Sequence, residues 1–471
     1  MSTQRNALIA CMLLILLFAS ACGGAAATSA PEINDPPDPY VNATEAPAAT
    51  EAPAYSPEFE APQNNAQPPS SNSEAPESNR EPYDMFFKDY GVNPSIDTED
   101  DNLSTFALDV DTGSYTIMRN YLKDGNLPPP ESVRVEEYIN YFAQAYPNPQ
   151  PHQAFGINID GAPSPFTQSE RYHMLRIGIQ GYQIPLYERK DASLTFVIDV
   201  SGSMDMDNRL GLVKRSLELL VEQLTEDDTV SIVVYGSEAR VVLDPTRGSD
   251  KGAILSAIYG LRPDGSTNAE AGIRLGYQMA MRAYDSNGIN RVILCSDGVA
   301  NVGETGPDAI LEEVDHFREE GVTLTTIGFG MDNYNDTMME QLADNGDGFY
   351  AYVDDMPEAR RLFLDELTGT LQTIAMNAKV QVDFNPEVVS RYRLVGFENR
   401  AIADDDFRNN NVDAGEIGAG HSVTALYEVK LYPESYGNIA TVYMRWEDPD
   451  TRQIVEVSRD FDAGELQRDF Q

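Results

Sequence analysis

The chain is poor in the residues that would support several common kinds of protein. It has 33 basic residues against 76 acidic ones, a formal net charge of −43 over 471 residues. Such a polyanion is repelled by phosphate backbones and anionic lipid, which excludes nucleic acid as a partner. Four histidines, His152, His173, His316 and His421, are scattered without zinc spacing. There are three cysteines. Cys11 lies in an N-terminal apolar run and Cys22 ends it, so the body of the chain holds Cys295 alone and cannot make an internal disulfide. Cys295 lies within the apolar run Val292–Cys295 and reads as a small buried strand residue. Beyond residue 22 no apolar run is long enough to cross a bilayer.

Residues 1–22 read as a bacterial export signal, with Arg5 followed by the short apolar core Ala7–Phe18. Ala19-Ser20-Ala21-Cys22 is similar to a lipobox, which makes Cys22 the candidate lipidation site. An Ala-x-Ala cleavage after Ala21 also fits. Lipid on Cys22 would attach the chain to a membrane by that anchor alone, on the extracytoplasmic side of the cell envelope. Residues 23–82 are rich in Ala, Pro, Ser, Glu and Asn, and cannot bury enough apolar surface to fold. As a flexible tether of about 60 residues they would reach about 40 Å.

Three textures follow. Residues 83–190 hold a strand at Phe106–Asp111, helices at Ser114–Lys123 and Val133–Phe142, and strands at Ala154–Asp160 and Tyr172–Gln180. Residues 191–375 alternate apolar runs (Leu194–Asp199, Thr229–Tyr235, Ala239–Leu243, Arg291–Ser296, Thr323–Gly328, Gly348–Val353) with amphipathic helices, the last spanning Pro357–Ile374. That alternation predicts a doubly wound α/β unit with a mainly parallel six-stranded sheet. Ala239–Leu243 follows a short turn and fits an antiparallel edge. Residues 376–471 return to period-two strands at Lys379–Phe384, Tyr392–Phe397, Ser422–Leu431 and Ala440–Trp446. The two flanks are therefore expected to form one β-rich domain with the α/β unit inserted.

In an open α/β sheet, ligands gather at the carboxyl ends of strands near the switch point. Oxygen-bearing side chains collect at three such ends: Asp199, Ser201 and Ser203 in DVSGS, Thr267 in GSTN, and Asp297 in SDG. Hard oxygen donors of this kind suit a small divalent cation. The combination resembles the metal-ion-dependent adhesion site of von Willebrand factor type A domains, and residues 191–375 resemble that domain throughout. The resemblance implies that Ser201 and Ser203 ligate a metal directly, that Thr267 does so in at least one state, and that Asp199 and Asp297 act directly or through water. The implied ion is Mg2+, or Mn2+ or Ca2+.

The flanks resemble YfbK-type bacterial von Willebrand factor A proteins. At the N-terminal side the match lies in Asp109–Tyr115 (DVDTGSY) and Leu127–Tyr141 (LPPPESVRVEEYINY). At the C-terminal side it lies in Gly396–Arg400 (GFENR), Asp413–His421 (DAGEIGAGH) and Thr424–Tyr427 (TALY). No general base, nucleophile or phosphate cradle accompanies the oxygen cluster, so the expected role is binding and not turnover. The expected partner is a protein whose Glu or Asp carboxylate completes the metal shell. The alternative is a structural module of an envelope assembly in which the metal only stabilises the fold.

Several other motifs carry functional readings of their own. Asp109 and Asp111 match the opening motif of haloacid-dehalogenase phosphatases, but the α/β sheet that motif needs does not follow. Asp111-Thr-Gly-Ser114 matches half of an aspartic-protease dyad, and no second copy exists. Asp404–Asp406 with Asn409–Asn411 could be a calcium loop but lacks the glycine and terminal glutamate of an EF-hand. Tyr334, Met338 and Met339 fit either a partner surface or core.

Overall fold

The computed structural model describes residues 85–469, apart from 109, 151, 299–306, 332, 333, 367, 368 and 370. The export signal, Cys22 and the tether expected from the sequence lie outside the described residues.

The central unit is a six-stranded sheet. Its strands are β1 (Ala192–Asp199), β2 (Thr229–Tyr235), β3 (Ala239–Arg247), β4 (Ile289–Ser296), β5 (Thr323–Gly328) and β6 (Tyr350–Tyr352). The spatial order is β6-β5-β4-β1-β2-β3. All neighbours are parallel except β2 and β3, whose short connection makes the antiparallel edge the sequence led us to expect. Its helices include α1 (Arg209–Gln223), α2 (Lys251–Gly260), α3 (Ala269–Arg282), α4 (Pro307–Glu319) and α5 (Asp336–Asn345).

Every residue of β1 is buried. A strand covered on both faces needs apolar side chains on both, and β1 supplies them by simple alternation. Leu194, Phe196 and Ile198 pack with Val213, Leu217, Ile254 and Ile258 of α1 and α2. Val197 packs on the opposite side with Ile273 and Tyr277 of α3. Cys295 on β4 is fully buried, and burial pushes its thiol up to about 12, far from nucleophile range. Tyr334, Met338 and Met339 are buried in the core on the α3 side and belong to it.

The flanks pair with each other across the insertion. Tyr172–Gly181 is antiparallel to Ser422–Leu431, Leu103–Ala107 to the middle of Thr373–Phe384, and Ile96–Asp97 to Val389–Val395. The resulting two five-stranded sheets enclose a common core that includes Phe106, Leu175, Ile177, Val380, Tyr427, Met444 and Trp446. Neither flank could cover these side chains alone.

Several elements differ from expectation. The strand expected at Phe106–Asp111 spans Leu103–Ala107, and the short strand Ile96–Asp97 was not expected. The helix expected over Pro357–Ile374 consists of Met356–Arg360 and a wider turn, Arg361–Asp365. Thr373 already opens the strand Thr373–Phe384. The β-branched and glycine residues after Glu366 are poor helix formers, and Ala375 and Ala378 find pairing partners at Ile417 and Gly415. The strands Gly415–Gly418 and Ile454–Asp462 were not anticipated. The second is charged and half exposed, as an edge strand should be, so its apolar alternation is faint.

Candidate metal centre

The chain runs from β1 into β2 and β3 on one side and returns to β4, β5 and β6 on the other. The topological switch therefore lies between β1 and β4, and their C-terminal ends carry Asp199 and Ser296-Asp297. Asp199 is fully buried. Its Oδ1 accepts the Ser201 backbone N–H at 2.7 Å, and its Oδ2 accepts the Ser296 hydroxyl at 3.1 Å. After β1 the chain makes a 3-10 turn, Gly202–Asn208, which brings the Ser201 and Ser203 hydroxyl oxygens to 3.0 Å from each other.

The Thr267 loop is tied to this turn by backbone. The Gly202 N–H donates to the Gly265 carbonyl at 3.0 Å, and the Asp264 N–H to the Val200 carbonyl at 2.5 Å. Gly265 has φ +77°, and a Cβ there would lie 1.9 Å from the Ser237 hydroxyl. Only glycine fits both demands. Asn268 then caps α3, its Oδ1 accepting the Ala271 N–H at 3.1 Å. The fold thus brings the loops of all five expected residues to one end of the sheet. Direct links are shown for Asp199, Ser201 and Ser203, whereas Thr267 is held there through its loop.

Asp297 is almost fully buried, and no motif spacing points to its partner. Arg209, also buried, donates from Nη1 to Asp297 Oδ2 at 2.7 Å. One signal was available: Arg209 is the first residue of α1. A cation is disfavoured at a helix N-terminus unless an anion compensates it. Burial first, and then the nearby Asp297 charge, push the Asp199 carboxyl up to about 6.

These donors fit a divalent cation. Two hydroxyls and a buried carboxylate converge, and that carboxylate has hydrogen-bond donors but no basic side chain among its described partners. A buried anion in that state is costly at neutral pH. Asp111, the aspartate of the protease-like motif, is occupied differently. Its Oδ1 accepts the Tyr350 N–H at 2.8 Å and its Oδ2 an Arg400 N–H at 3.2 Å, so it joins the flanks to the sheet edge. Asp404, in the loop that could have been a calcium site, accepts the Thr105 hydroxyl at 2.6 Å. Asp109 lies outside the described residues.

Comparison with known proteins gives the family. Residues 193–365 match the family model for the von Willebrand factor type A domain. Residues 369–467 match the C-terminal model described as "Uncharacterized protein YfbK, C-terminal", and residues 81–175 a model described as "von Willebrand factor". The chain is 42% identical over 353 residues to the uncharacterized protein YfbK of Escherichia coli, covering 73% of this chain and 61% of that protein. The chain belongs to the bacterial YfbK-like von Willebrand factor A proteins. A second relative, the uncharacterized protein sll0103 of Synechocystis, is 28% identical over 49% of this chain and 52% of its own length. The chain therefore spans about half to three-fifths of the length of these relatives. Among solved structures, a von Willebrand factor type A protein from Catenulispora acidiphila aligns with 68% of this chain and 75% of its own, at TM-score 0.43 and 15% identity.

Von Willebrand factor A domains form a family of protein-interaction and adhesion modules that commonly bind a divalent metal and are usually not enzymes. Bacterial members are typically extracellular or envelope-associated. No helix among the described residues is long and apolar enough to cross a membrane.

Proposed function

We propose that this YfbK-like protein is lipid-anchored through Cys22 on the extracytoplasmic side. Its A domain binds a partner protein through Mg2+ held by Asp199, Ser201, Ser203, Thr267 and Asp297, and a partner Asp or Glu carboxylate completes the shell. The observation that supports this reading best is the Arg209–Asp297 pair. The two aspartates alone would balance a dication. With Arg209 already neutralising Asp297, the loaded site carries a net positive charge in a poorly solvated pocket. A hard anionic oxygen is the ligand that such a charge attracts. Bound there, the ion supplies an open Lewis-acidic position. The chain's own residues orient it: Ser296 and the Ser201 N–H fix Asp199, and Gly265 sets the Thr267 loop. A shallow groove of about 860 Å3 runs from Thr267 past Ser237, Glu238, Asn268 and Arg274, with room for a partner segment.

The test is capture of the envelope partner by the full chain. Capture is expected in Mg2+, lost in EDTA, and lost in both conditions by Asp199→Ala. Unchanged, EDTA-sensitive capture by Asp199→Ala overturns the reading. A fall in Tm on metal removal with capture intact favours the structural alternative.

A pH effect accompanies it. The folded-state pKa of Asp199 is raised to about 6 from the ordinary 3.8. Between these values the folded, metal-free chain holds the proton more tightly than the unfolded chain. Its stabilising contribution is thus complete below about pH 4 and lost as pH rises through 6. In EDTA, Asp199→Asn is expected to gain on the wild type by on the order of 3 kcal/mol between pH 4 and 7, read from urea midpoints. Parallel pH profiles for the two proteins would refute that assignment.

A further inference from the structure

We propose a second divalent-cation site, for Ca2+, at the seam between the α/β unit and the β-sandwich, formed by Asp347, Asp413 and Glu416. One carboxylate oxygen from each of the three lies within 4.8 Å of the other two. Asp347 belongs to the inserted unit, in the turn between α5 and β6, where it takes a left-handed backbone with φ +47°. Asp413 and Glu416 belong to the C-terminal flank, at the start of the edge strand Gly415–Gly418.

Glu416 is the decisive residue. It is 9% exposed, and its Oε1 has no hydrogen-bond partner among the described residues. A buried carboxylate oxygen without a donor is costly; the Asn377 backbone hydrogen-bonds the same carboxyl group, and one of its oxygens lies within 4.8 Å of the two further carboxylates. Burial, and then the charges of Asp347 and Asp413, drive its pKa well above the usual carboxylate range. A void of about 10 Å3, about the room for one small occupant, lies against Asp347, Gly348 and Glu416, with Arg291 and His421 also on its wall and Asp413 outside it.

Basic side chains act on the cluster as well: Arg452 on Asp347, Lys379 on Asp413, and Arg318 on both. Arg318 donates to Asp347 Oδ1 at 3.1 Å and lies 3.6 Å from Asp413 Oδ2. It also pairs with Asp315. Arg291 approaches from the sheet side, where its Nη1 donates to the Thr325 hydroxyl at 3.0 Å. Asp344 adds another negative charge nearby, itself paired with Arg400 at 2.9 Å. Arg318 engages one oxygen of each aspartate, and the other Asp413 oxygen, Oδ1, accepts the Ala414 N–H at 3.1 Å. Ca2+ binds oxygen at about 2.3–2.6 Å and so spans oxygens up to about 5 Å apart, a range that includes separations within 4.8 Å. An ion here would join two segments of different domains, so its binding energy would contribute directly to holding the insertion in place.

This site does not rest on the Asp199 centre, and the test separates them. The full chain carrying Asp199→Ala is titrated with CaCl2 by calorimetry and followed by thermal unfolding. One binding event and a Ca2+-dependent rise in Tm are expected. Adding Glu416→Gln should weaken that event by at least about tenfold. Asp413→Asn, at an exposed position, should do the same without endangering the core. No heat and no Tm change in the Asp199→Ala chain, or binding unaltered by both further substitutions, would overturn the proposal. So would stabilisation at acid pH with no response to Ca2+, since a proton would then fill the role.

Discussion

Arg134→Met is expected to destabilise the protein by about 3–5 kcal/mol, a large share of the roughly 5–15 kcal/mol that holds a domain folded. Arg134 is 6% exposed. Its Nε donates to Glu137, its Nη1 donates to Asp336 Oδ2 at 2.8 Å, and Glu340 lies 3.7 Å away. Those carboxylates are themselves held from other sides. Ser114 N–H donates to Glu137 at 2.7 Å, the Tyr350 hydroxyl to Asp336 at 2.7 Å, and Arg400 to Glu340 at 3.1 Å. The cluster thus joins the N-terminal flank, α5 of the inserted unit and the C-terminal flank. Methionine fills a similar volume but leaves Glu137 and Asp336 as buried charges with their shared cation gone. The cost arises from that residue of uncompensated charge, not from the strength of the pair itself. Urea unfolding of Arg134→Met measures it. The double variant with Asp336→Asn should recover part of the loss, because the sites share a network. A loss below about 1 kcal/mol, or strict additivity of the two substitutions, would show that the cluster is not a coupled lock.

That lock was invisible in the sequence, whereas the sheet it clamps was plain. Leu194–Asp199, Thr229–Tyr235 and Thr323–Gly328 are continuous apolar runs because both faces of a parallel sheet are covered. Each such run closely matches a strand. The oxygen ligands were legible for a related reason. The turn after β1 places Asp199, Ser201 and Ser203 together within a few residues, so sequence spacing is nearly spatial spacing. Arg134, Glu136 and Glu137 offered no such clue. At a short helix they look like a solvated charged face, and the partners Asp336 of Arg134 and Phe397 of Glu136 lie some 200 to 260 residues away. The interleaving of the flanks was inferable only as a need to cover strand faces. Which strand pairs with which, as in Leu103–Ala107 against Thr373–Phe384, depends on contacts between distant segments that no local pattern records.

Arg209 is the second residue whose role only the fold discloses, and its removal should produce two opposite effects. In the metal-free chain, Arg209→Met leaves Asp297, 4% exposed, without its cation. A loss of about 3–5 kcal/mol is expected in EDTA. The space beside it belongs to the arginine: at Gly330, with φ +91°, a Cβ would lie 2.3 Å from Arg209 Nε. Mg2+ should then reverse most of the loss, since a dication compensates Asp297 as well as Asp199. The Mg2+-induced rise in Tm is therefore expected to be larger in Arg209→Met than in the wild type, with metal affinity higher by about tenfold, or 1.4 kcal/mol. Partner capture should move the other way. With both aspartates facing the ion, the loaded site is close to neutral and its attraction for a carboxylate falls. A variant that binds Mg2+ no tighter than the wild type would refute the role of Arg209 as an internal competitor of the ion. A variant that binds Mg2+ tighter and also holds its partner tighter would refute the carboxylate as the completing ligand, because a more neutral ion would then be the better anchor.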